Sequence, residues 1–191
     1  MKIILSPNPY RDKRMTVVSE AEKVLKECGV ETVVCLPFPM DDHFRFAKKF
    51  DWKDLDEEAE GTDMLICFGG DGTILHLARF ARTHNIPILG VNMGSVGFMA
   101  ELERTELSLL VPLAQGHFVT EERMMLDVRV FRGGRPVSQD LALNDAVFSK
   151  GSMARVAELE VLADDMEVSS IMGDGVIVAT PTGSTAYSLS A

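Results

Sequence analysis

The first 118 residues alternate short apolar runs with segments of helical spacing, and this alternation constrains the fold more than any other feature. Apolar runs at 2–6, 30–36, 64–68 and 86–91 have the length of buried strands. Between them, apolar residues recur at intervals of three and four at 17–28 and 74–82, which predicts helices. Strands that alternate with helices form a parallel sheet covered on both faces. We therefore expect an α/β domain with a parallel sheet and flanking helices over residues 1–118.

The pattern changes near Gly116 and predicts a second, β-rich, sandwich-like domain over residues 119–191. Apolar and charged residues alternate at 126–130, and Gly133-Gly134 then supplies the turn of a hairpin. Further extended segments are expected at 145–149, 155–162 and 176–180. The last residues, STAYSLSA, resemble the first turns of a helix without a terminating signal, so we expect this domain to be incomplete at its C-terminus.

Charge and composition exclude several classes of function. The chain carries 29 Asp and Glu against 19 Lys and Arg, a net charge of −10, which argues against nucleic acid as a partner. No run approaches the roughly 18 apolar residues of a membrane span, and the N-terminus turns polar after five residues. We expect a cytoplasmic protein. Cys28, Cys35 and Cys67 match no metal-ligand spacing, so we interpret them as buried thiols and predict no metal site built from protein ligands alone.

A glycine-rich motif, Gly69-Gly70-Asp71-Gly72-Thr73, stands between a predicted buried strand and a predicted helix. Glycines let a phosphate approach the backbone, and the start of a helix offers unpaired N–H groups and a positive dipole end. The motif is not a P-loop, because no Lys follows the glycines. It is not the dinucleotide fingerprint either, since Leu75 stands where the third glycine would be.

Asp71 is the informative residue of this motif. A carboxylate among phosphate-binding N–H groups repels the ligand, so it needs a function: holding Mg²⁺ or taking a proton from an attacking hydroxyl. Both functions indicate phosphoryl transfer. A tight turn in which Asp71 caps the helix is the structural alternative.

Three further segments carry polar groups that suit a nucleotide. The loop 92–98 follows another predicted strand, where ligands of open α/β sheets bind, although a plain connection fits it equally well. Asn144-Asp145 offers a donor and several acceptors for a ribose diol or an adenine edge, with a β-turn as the alternative. Residues 173–187 combine glycines, hydroxyls and Tyr187 in one loop, although Asp174-Gly175 alone is typical of a hairpin turn. By contrast, His76 and His84 match no metal spacing and are assigned to packing or to solvent.

Together these elements resemble the NAD kinase family over the whole chain. GGDGT also occurs in diacylglycerol, sphingosine and related lipid kinases, with a near relative in phosphofructokinases. The string GDGVIVATPTGSTAYSLSA at 173–191, placed after an Asn-Asp pair, distinguishes NAD kinases from them. The resemblance implies transfer of a phosphoryl group from ATP or polyphosphate to the 2′-hydroxyl of the adenosine ribose of NAD, giving NADP. It implies Mg²⁺ or another divalent cation, and a homodimer or homotetramer.

The resemblance also implies a role for each matching residue. Asp71 would be the general base, and the phosphate and ATP site would be shaped by Gly69, Gly70, Gly72 and Thr73. Contacts with NAD would come from Asp71, Gly72, Phe98, Asn144, Asp145, Asp174, Thr182, Thr185, Ala186, Tyr187 and Ser190.

Two departures from the family and two alternatives accompany this interpretation. Many members carry Glu where this chain has Asp145, and members continue past the STAYSLSA string. The same GGDGT loop would serve a lipid or sugar kinase. From a different class, the chain would be a dinucleotide sensor that binds without catalysis.

Overall fold

The structure is a computed structural model and describes residues 1–40, 50–94, 97–151 and 155–191. The chain divides into two compact units, Met1–Glu121 and Glu122–Ala191. In the described ranges, no helix combines the length and the apolar character needed to cross a bilayer.

The first unit is built on a six-stranded parallel sheet in the order β3-β2-β1-β4-β5-β6. Its strands are β1 Lys2–Pro7, β2 Glu31–Cys35, β3 Trp52–Lys53, β4 Met64–Gly69, β5 Ile88–Asn92 and β6 Leu102–Glu103. The helices of this unit are α1 Thr16–Glu27, α2 Leu55–Glu58, α3 Asp71–His84 and, after the last strand of the sheet, α4 Leu110–Ala114. The predicted α/β architecture is confirmed. The two-residue strands β3 and β6 were not predicted, because they are too short to show a period.

Helices cover both faces of this sheet. On one face Ile3, Leu5, Ile66 and Phe68 are buried against α1 and α4. Alternate residues of the same strands, such as Ile4 and Leu65, are also fully buried and face the other way. The apolar stripe of α3, which packs on β4 and β5, covers that second face. Each fully buried aliphatic or Phe side chain contributes about 1.5–3 kcal/mol, so β1 and β4 anchor the unit.

The three thiols differ in environment, which corrects one expectation. Cys35 and Cys67 are fully buried in strands, as predicted. Cys28 is exposed, because it lies at the C-cap of α1 rather than on the buried stripe of that helix.

The second unit consists of three two-stranded antiparallel ribbons, which confirms the predicted β-rich character. The pairs are β7 Leu126–Arg132 with β8 Arg135–Ala142, β9 Asp145–Ser149 with β12 Gly175–Ala179, and β10 Ala157–Ala163 with β11 Met166–Gly173. A short helix, α5 Tyr187–Ser190, follows. The predicted hairpin turn is confirmed, since Gly133 and Gly134 both adopt positive φ.

Two details of this unit differ from the sequence expectations. Strand β11 was not predicted, because Ser169 and Ser170 interrupt its apolar alternation. Asp174-Gly175 is not the turn of a hairpin, since β11 pairs with β10 whereas β12 pairs with β9.

Apolar side chains remain exposed on the second unit. Within its described residues no hydrophobic side chain is fully buried, and Met166, Met172 and Leu189 are at least 70 % exposed. Ladder hydrogen bonds, rather than a packed core, therefore hold its ribbons together.

Candidate functional site

A cavity of about 450 Å³ opens at the carboxyl ends of β1, β4 and β5. The strand order reverses between β1 and β4, so loops from neighbouring strands diverge there and leave a crevice. The cavity is lined by Asn8, Arg11, Phe38, Gly70, Asp71, Gly72, Thr73, His76, Gly94 and Gly97. Both predicted loops, 69–73 and the described part of 92–98, therefore contribute to one site, whereas Ser95 and Val96 lie outside the described residues.

Asp71 is the first residue of α3, and its side chain is held by the loop that follows β5. One carboxylate oxygen accepts a hydrogen bond from the backbone N–H of Phe98 at 3.0 Å, and the other accepts from Met99 at 3.2 Å. A carboxylate has about four acceptor sites, so each oxygen keeps capacity for a ligand hydroxyl. Asp71 thus has a fixed orientation in a polar cavity. Asp71 does not cap the helix, as the structural alternative had it, because the N–H groups that its side chain accepts from lie outside α3.

The glycines around Asp71 fall into two kinds. A Cβ at Gly69 would overlap the Thr73 side chain, and a Cβ at Gly97 would overlap the Asp71 carboxylate, so the fold itself requires both glycines. At Gly70 and Gly72, by contrast, an added Cβ would meet no described atom within 4 Å, and neither residue has a positive φ. The described protein gives no reason for these two glycines. They leave the backbone open to the cavity, as close approach of a ligand requires.

Thr73 joins two loops of the site instead of facing the cavity freely. It is 4 % exposed, and its hydroxyl oxygen accepts a hydrogen bond from the Asn8 amide at 2.9 Å. The side-chain oxygen of Asn8 in turn accepts from the backbone N–H of Tyr10 at 3.0 Å. Asn8 therefore fixes the turn after β1 against the start of α3. Sequence reasoning missed it, although a polar residue at the carboxyl end of a buried strand was the available signal.

Arg11, Phe38 and His76 also line the cavity and were not predicted to belong to it. Arg11 is the one Lys or Arg among the described lining residues, and Asp71 is the one carboxylate. The ring centroids of Phe38 and His76 are 5.4 Å apart. His76 is exposed and contacts Phe38, which agrees with the expectation that it serves packing or faces solvent. That expectation did not place it in the cavity.

The described lining of the cavity does not by itself supply a set of metal ligands. No cluster of three or more metal-ligating side chains occurs within the described ranges. A divalent cation carried by phosphates fits the observed residues, because Mg²⁺ is commonly held by one or two carboxylates, waters and the phosphates of the substrate.

The expected nucleotide contacts of the second unit are spread over its ribbons. Asp174 and Tyr187 line a second cavity of about 430 Å³ between β9, β12 and α5. Asp174 is paired there with Lys150 at 2.7 Å. The side-chain oxygen of Asn144 is buried and has no described hydrogen-bond partner. Asp145 opens β9 beside it.

The remaining predicted residues of this unit lie outside both cavities. The backbone oxygen of Asn144 accepts from Thr180, and Gly183 packs directly on it, which fixes the loop after β12. That loop carries Thr182, Thr185 and Ala186, and Ser190 is the last residue of α5. Among them only Thr182 is half-buried.

The fold and the glycine-lined cavity define an α/β protein with a site at the switch point of a parallel sheet. Residues 3–112 match the model of the ATP-NAD kinase N-terminal domain, and residues 143–191 match that of the ATP-NAD kinase C-terminal domain. The chain belongs to the ATP-NAD kinase family.

Individual relatives agree with this assignment. The NAD kinase of Acetivibrio thermocellus is 36 % identical over 192 residues, which cover 100 % of this chain and 65 % of that protein. The NAD kinase of Desulforamulus reducens is 50 % identical over 130 residues, covering 68 % of this chain and 45 % of that protein. This chain spans about 65 % of the first of these relatives. The crystal structure of yeast NADH kinase complexed with NADH superposes with a TM-score of 0.77 at 23 % identity, over 100 % of this chain and 60 % of that one.

Proposed function

We propose that this protein is an NAD kinase, which transfers the terminal phosphoryl group of ATP or polyphosphate to the 2′-hydroxyl of the adenosine ribose of NAD. One observation carries the proposal: a fixed carboxylate, Asp71, lies beside Gly70 and Gly72, which the described protein leaves open for a ligand. Membership of the ATP-NAD kinase family gives the reaction.

In the proposed reaction the ribose 2′-oxygen attacks the terminal phosphorus in line with the leaving oxygen. The new O–P bond forms as the bond to the bridging oxygen breaks, which releases ADP or a shortened polyphosphate, and Asp71 takes the hydroxyl proton. Mg²⁺ bound to the donor phosphates would neutralise their charge. The open backbone at Gly70 and Gly72 and the start of α3 bind the phosphates. No covalent enzyme intermediate is needed.

The other site residues keep the roles implied by the family. Phe98, which is 78 % exposed, offers an aromatic surface to the adenine. As the family resemblance implies, Asn144 and the neighbouring Asp145 would hydrogen-bond the dinucleotide, since an amide and a carboxylate suit a ribose or an adenine edge. Asp174 would contact the nicotinamide end after exchanging its Lys150 partner for the ligand. The cytoplasmic location and the homodimer or homotetramer stay predictions.

The test is NADP formation from NAD, ATP and Mg²⁺ by the wild-type protein and by Asp71→Asn. Loss of a general base lowers kcat by roughly 10²–10⁴-fold. Asp164→Asn is the matched control, because Asp164 is an exposed turn residue with φ of 49°, a conformation that Asn also adopts. Unchanged activity in Asp71→Asn would remove the assigned base. NAD binding without NADP formation in the wild type would favour the sensor, and phosphorylation of a lipid or sugar instead would favour those kinases.

A further inference from the structure

Thr180, the residue after β12, is the most deeply buried side chain in the described part of the second unit. It is 1 % exposed, and among the described residues of this unit only Gly183 is also buried. Thr180 carries a hydroxyl, which must be hydrogen-bonded if its burial is not to be costly. It lines neither of the two cavities described above. A buried polar side chain outside both cavities therefore needs another explanation.

The hydroxyl of Thr180 forms hydrogen bonds as donor and as acceptor. It donates to the Leu143 carbonyl at 2.6 Å, lies 3.1 Å from the Asn144 carbonyl, and accepts from the backbone N–H of Gly183 at 3.0 Å. The backbone N–H of Thr180 also donates to the Asn144 carbonyl, at 2.8 Å. One side chain thus connects the two-residue link between β8 and β9 with the loop after β12.

Gly183 closes the same junction. A Cβ on Gly183 would overlap the backbone of Asn144, so the two segments touch with no side chain between them. Two backbone hydrogen bonds shape the loop itself: the Ser184 N–H donates to the Thr180 carbonyl and the Ala186 N–H donates to the Gly183 carbonyl, both at 2.9 Å. The spacing of the two segments is therefore set by close contact and by the Thr180 hydroxyl.

The two joined segments carry residues that the family resemblance assigns to NAD. The first segment carries Asn144 and Asp145, and the second carries Thr182, Thr185, Ala186 and Tyr187. Asp145 is also the register partner of Ala179, the residue before Thr180. No hydrophobic side chain in the described part of this unit is fully buried. The relative position of the two groups of contacts therefore depends on the junction at Thr180.

We propose that Thr180 is a positioning residue for the dinucleotide. Its hydroxyl holds the Asn144-Asp145 segment and the 182–187 segment at the separation at which both contact NAD, and Thr180 itself does not touch the ligand. The inference rests on the proposed function, from which it takes the NAD contacts of the two segments. Loss of the hydroxyl removes the partner of the Leu143 carbonyl and of the Gly183 N–H, so the segments shift and the affinity for NAD falls.

Two pairs of variants isolate the hydroxyl. Thr180→Val replaces it with a methyl group of similar size, whereas Thr180→Ser keeps it. Thr180→Ala differs from Thr180→Ser in the hydroxyl alone, so the test remains if the Val variant fails to fold. Thr120→Val is the control, because it makes the same change at an exposed position that lines neither cavity. Circular dichroism checks that each variant is folded.

Calorimetric titration with NAD and steady-state kinetics measure the effect. We expect Thr180→Val and Thr180→Ala to raise the Kd and the KM for NAD by about 10-fold, and Thr180→Ser and Thr120→Val to stay within about twofold of the wild type. The kcat and the KM for ATP should change by about twofold at most, because the lost contacts act on NAD binding. A lower melting temperature of Thr180→Val with an unchanged Kd for NAD would show a purely structural residue and overturn the proposal. An equal loss of affinity in Thr180→Ser would overturn it as well.

The binding and kinetic measurements separate this inference from the proposed function. If NAD affinity depends on the hydroxyl while the wild type forms no NADP, the proposed kinase activity fails and the role of Thr180 stands. If NADP forms and Thr180→Val binds NAD as tightly as the wild type does, the kinase stands and the role of Thr180 fails. A wild type that does not bind NAD overturns both.

Discussion

The glycines of the Gly69–Thr73 motif look equivalent in sequence, but they differ in whether the fold leaves space for a side chain. Gly69 is needed because the Thr73 side chain packs against it, whereas Gly72 has open space where its Cβ would be. Gly72 also lies in the first turn of α3, where Ala is favoured over Gly by up to about 1 kcal/mol. The two positions should therefore respond in opposite ways to the same substitution.

We expect Gly72→Ala to leave the melting temperature unchanged or slightly raised while weakening the binding of ATP. Gly69→Ala, the matched variant, should lower the melting temperature, because its Cβ overlaps Thr73. Differential scanning fluorimetry with and without ATP measures both effects. Equal stability losses in the two variants would show that Gly72 is structural.

The cysteines should differ in reactivity. Burial raises the pKa of the Cys67 thiol from 9.0 to about 12, and burial, together with Glu58 and Asp54, does the same for Cys35. The thiolate is the nucleophile, so at about pH 8 a disulfide reagent should modify exposed Cys28 rapidly and the other two only after unfolding. Fast reaction of two or three thiols in the native protein would contradict this.

The same two pKa values predict that the free energy of unfolding falls as the pH rises from 9.0 to about 12. In this range the thiols of Cys35 and Cys67 ionise in the unfolded chain but stay protonated in the folded one.

At the scale of single elements, α1 depends on a residue that precedes it. The residue before the helix, Met15, has a left-handed conformation and provides no side-chain cap. Asp12 replaces the cap, because its carboxylate accepts from the backbone N–H groups of Thr16, Val17 and Val18. These donors would otherwise be unpaired at the positive end of the helix.

We expect Asp12→Ala to reduce the free energy of unfolding by about 1–2 kcal/mol, the usual cost of losing a cap. Asp12→Asn keeps one acceptor oxygen and should lose less. Urea denaturation followed by circular dichroism gives both values. A loss no larger than that of an exposed control, Glu20→Ala, would mean that the α1 terminus is satisfied by water.

The elements that sequence predicted well are those whose environment leaves a local pattern. Strands β1, β2, β4 and β5 are buried in a parallel sheet and read as continuous apolar runs. The residues that line the cavity leave no such pattern. Asp71 was recognised because a carboxylate among glycines that are expected to bind phosphate needs an explanation. Arg11 and Phe38 reach the same cavity only through the strand order, which no local spacing encodes.

At the scale of the whole molecule, burial is concentrated in the first unit. Every hydrophobic residue that is fully buried in the described ranges belongs to residues 1–121. The ribbons of the second unit expose apolar side chains on more than one strand. Local opening costs less free energy where few apolar contacts are lost.

The rates of amide hydrogen exchange should therefore differ between the two units. We expect the amides of β1 and β4 to exchange slowest and those of β7, β8, β10 and β11 to exchange much faster. Mass spectrometry of peptides from the intact chain, corrected for intrinsic exchange rates, measures this. Ribbons as well protected as β1 would show that the second unit has a stabilising partner.

The two hydrogen bonds that hold Asp71 form only after a later part of the chain has been synthesised. The donors, Phe98 and Met99, follow Asp71 by 27 and 28 residues. On a translating ribosome the motif emerges first, while its restraining loop is still unsynthesised or inside the exit tunnel. A nascent chain can complete the first two-thirds of the sheet and still lack an oriented carboxylate. The orientation of Asp71 is thus established only after translation has passed the loop after β5.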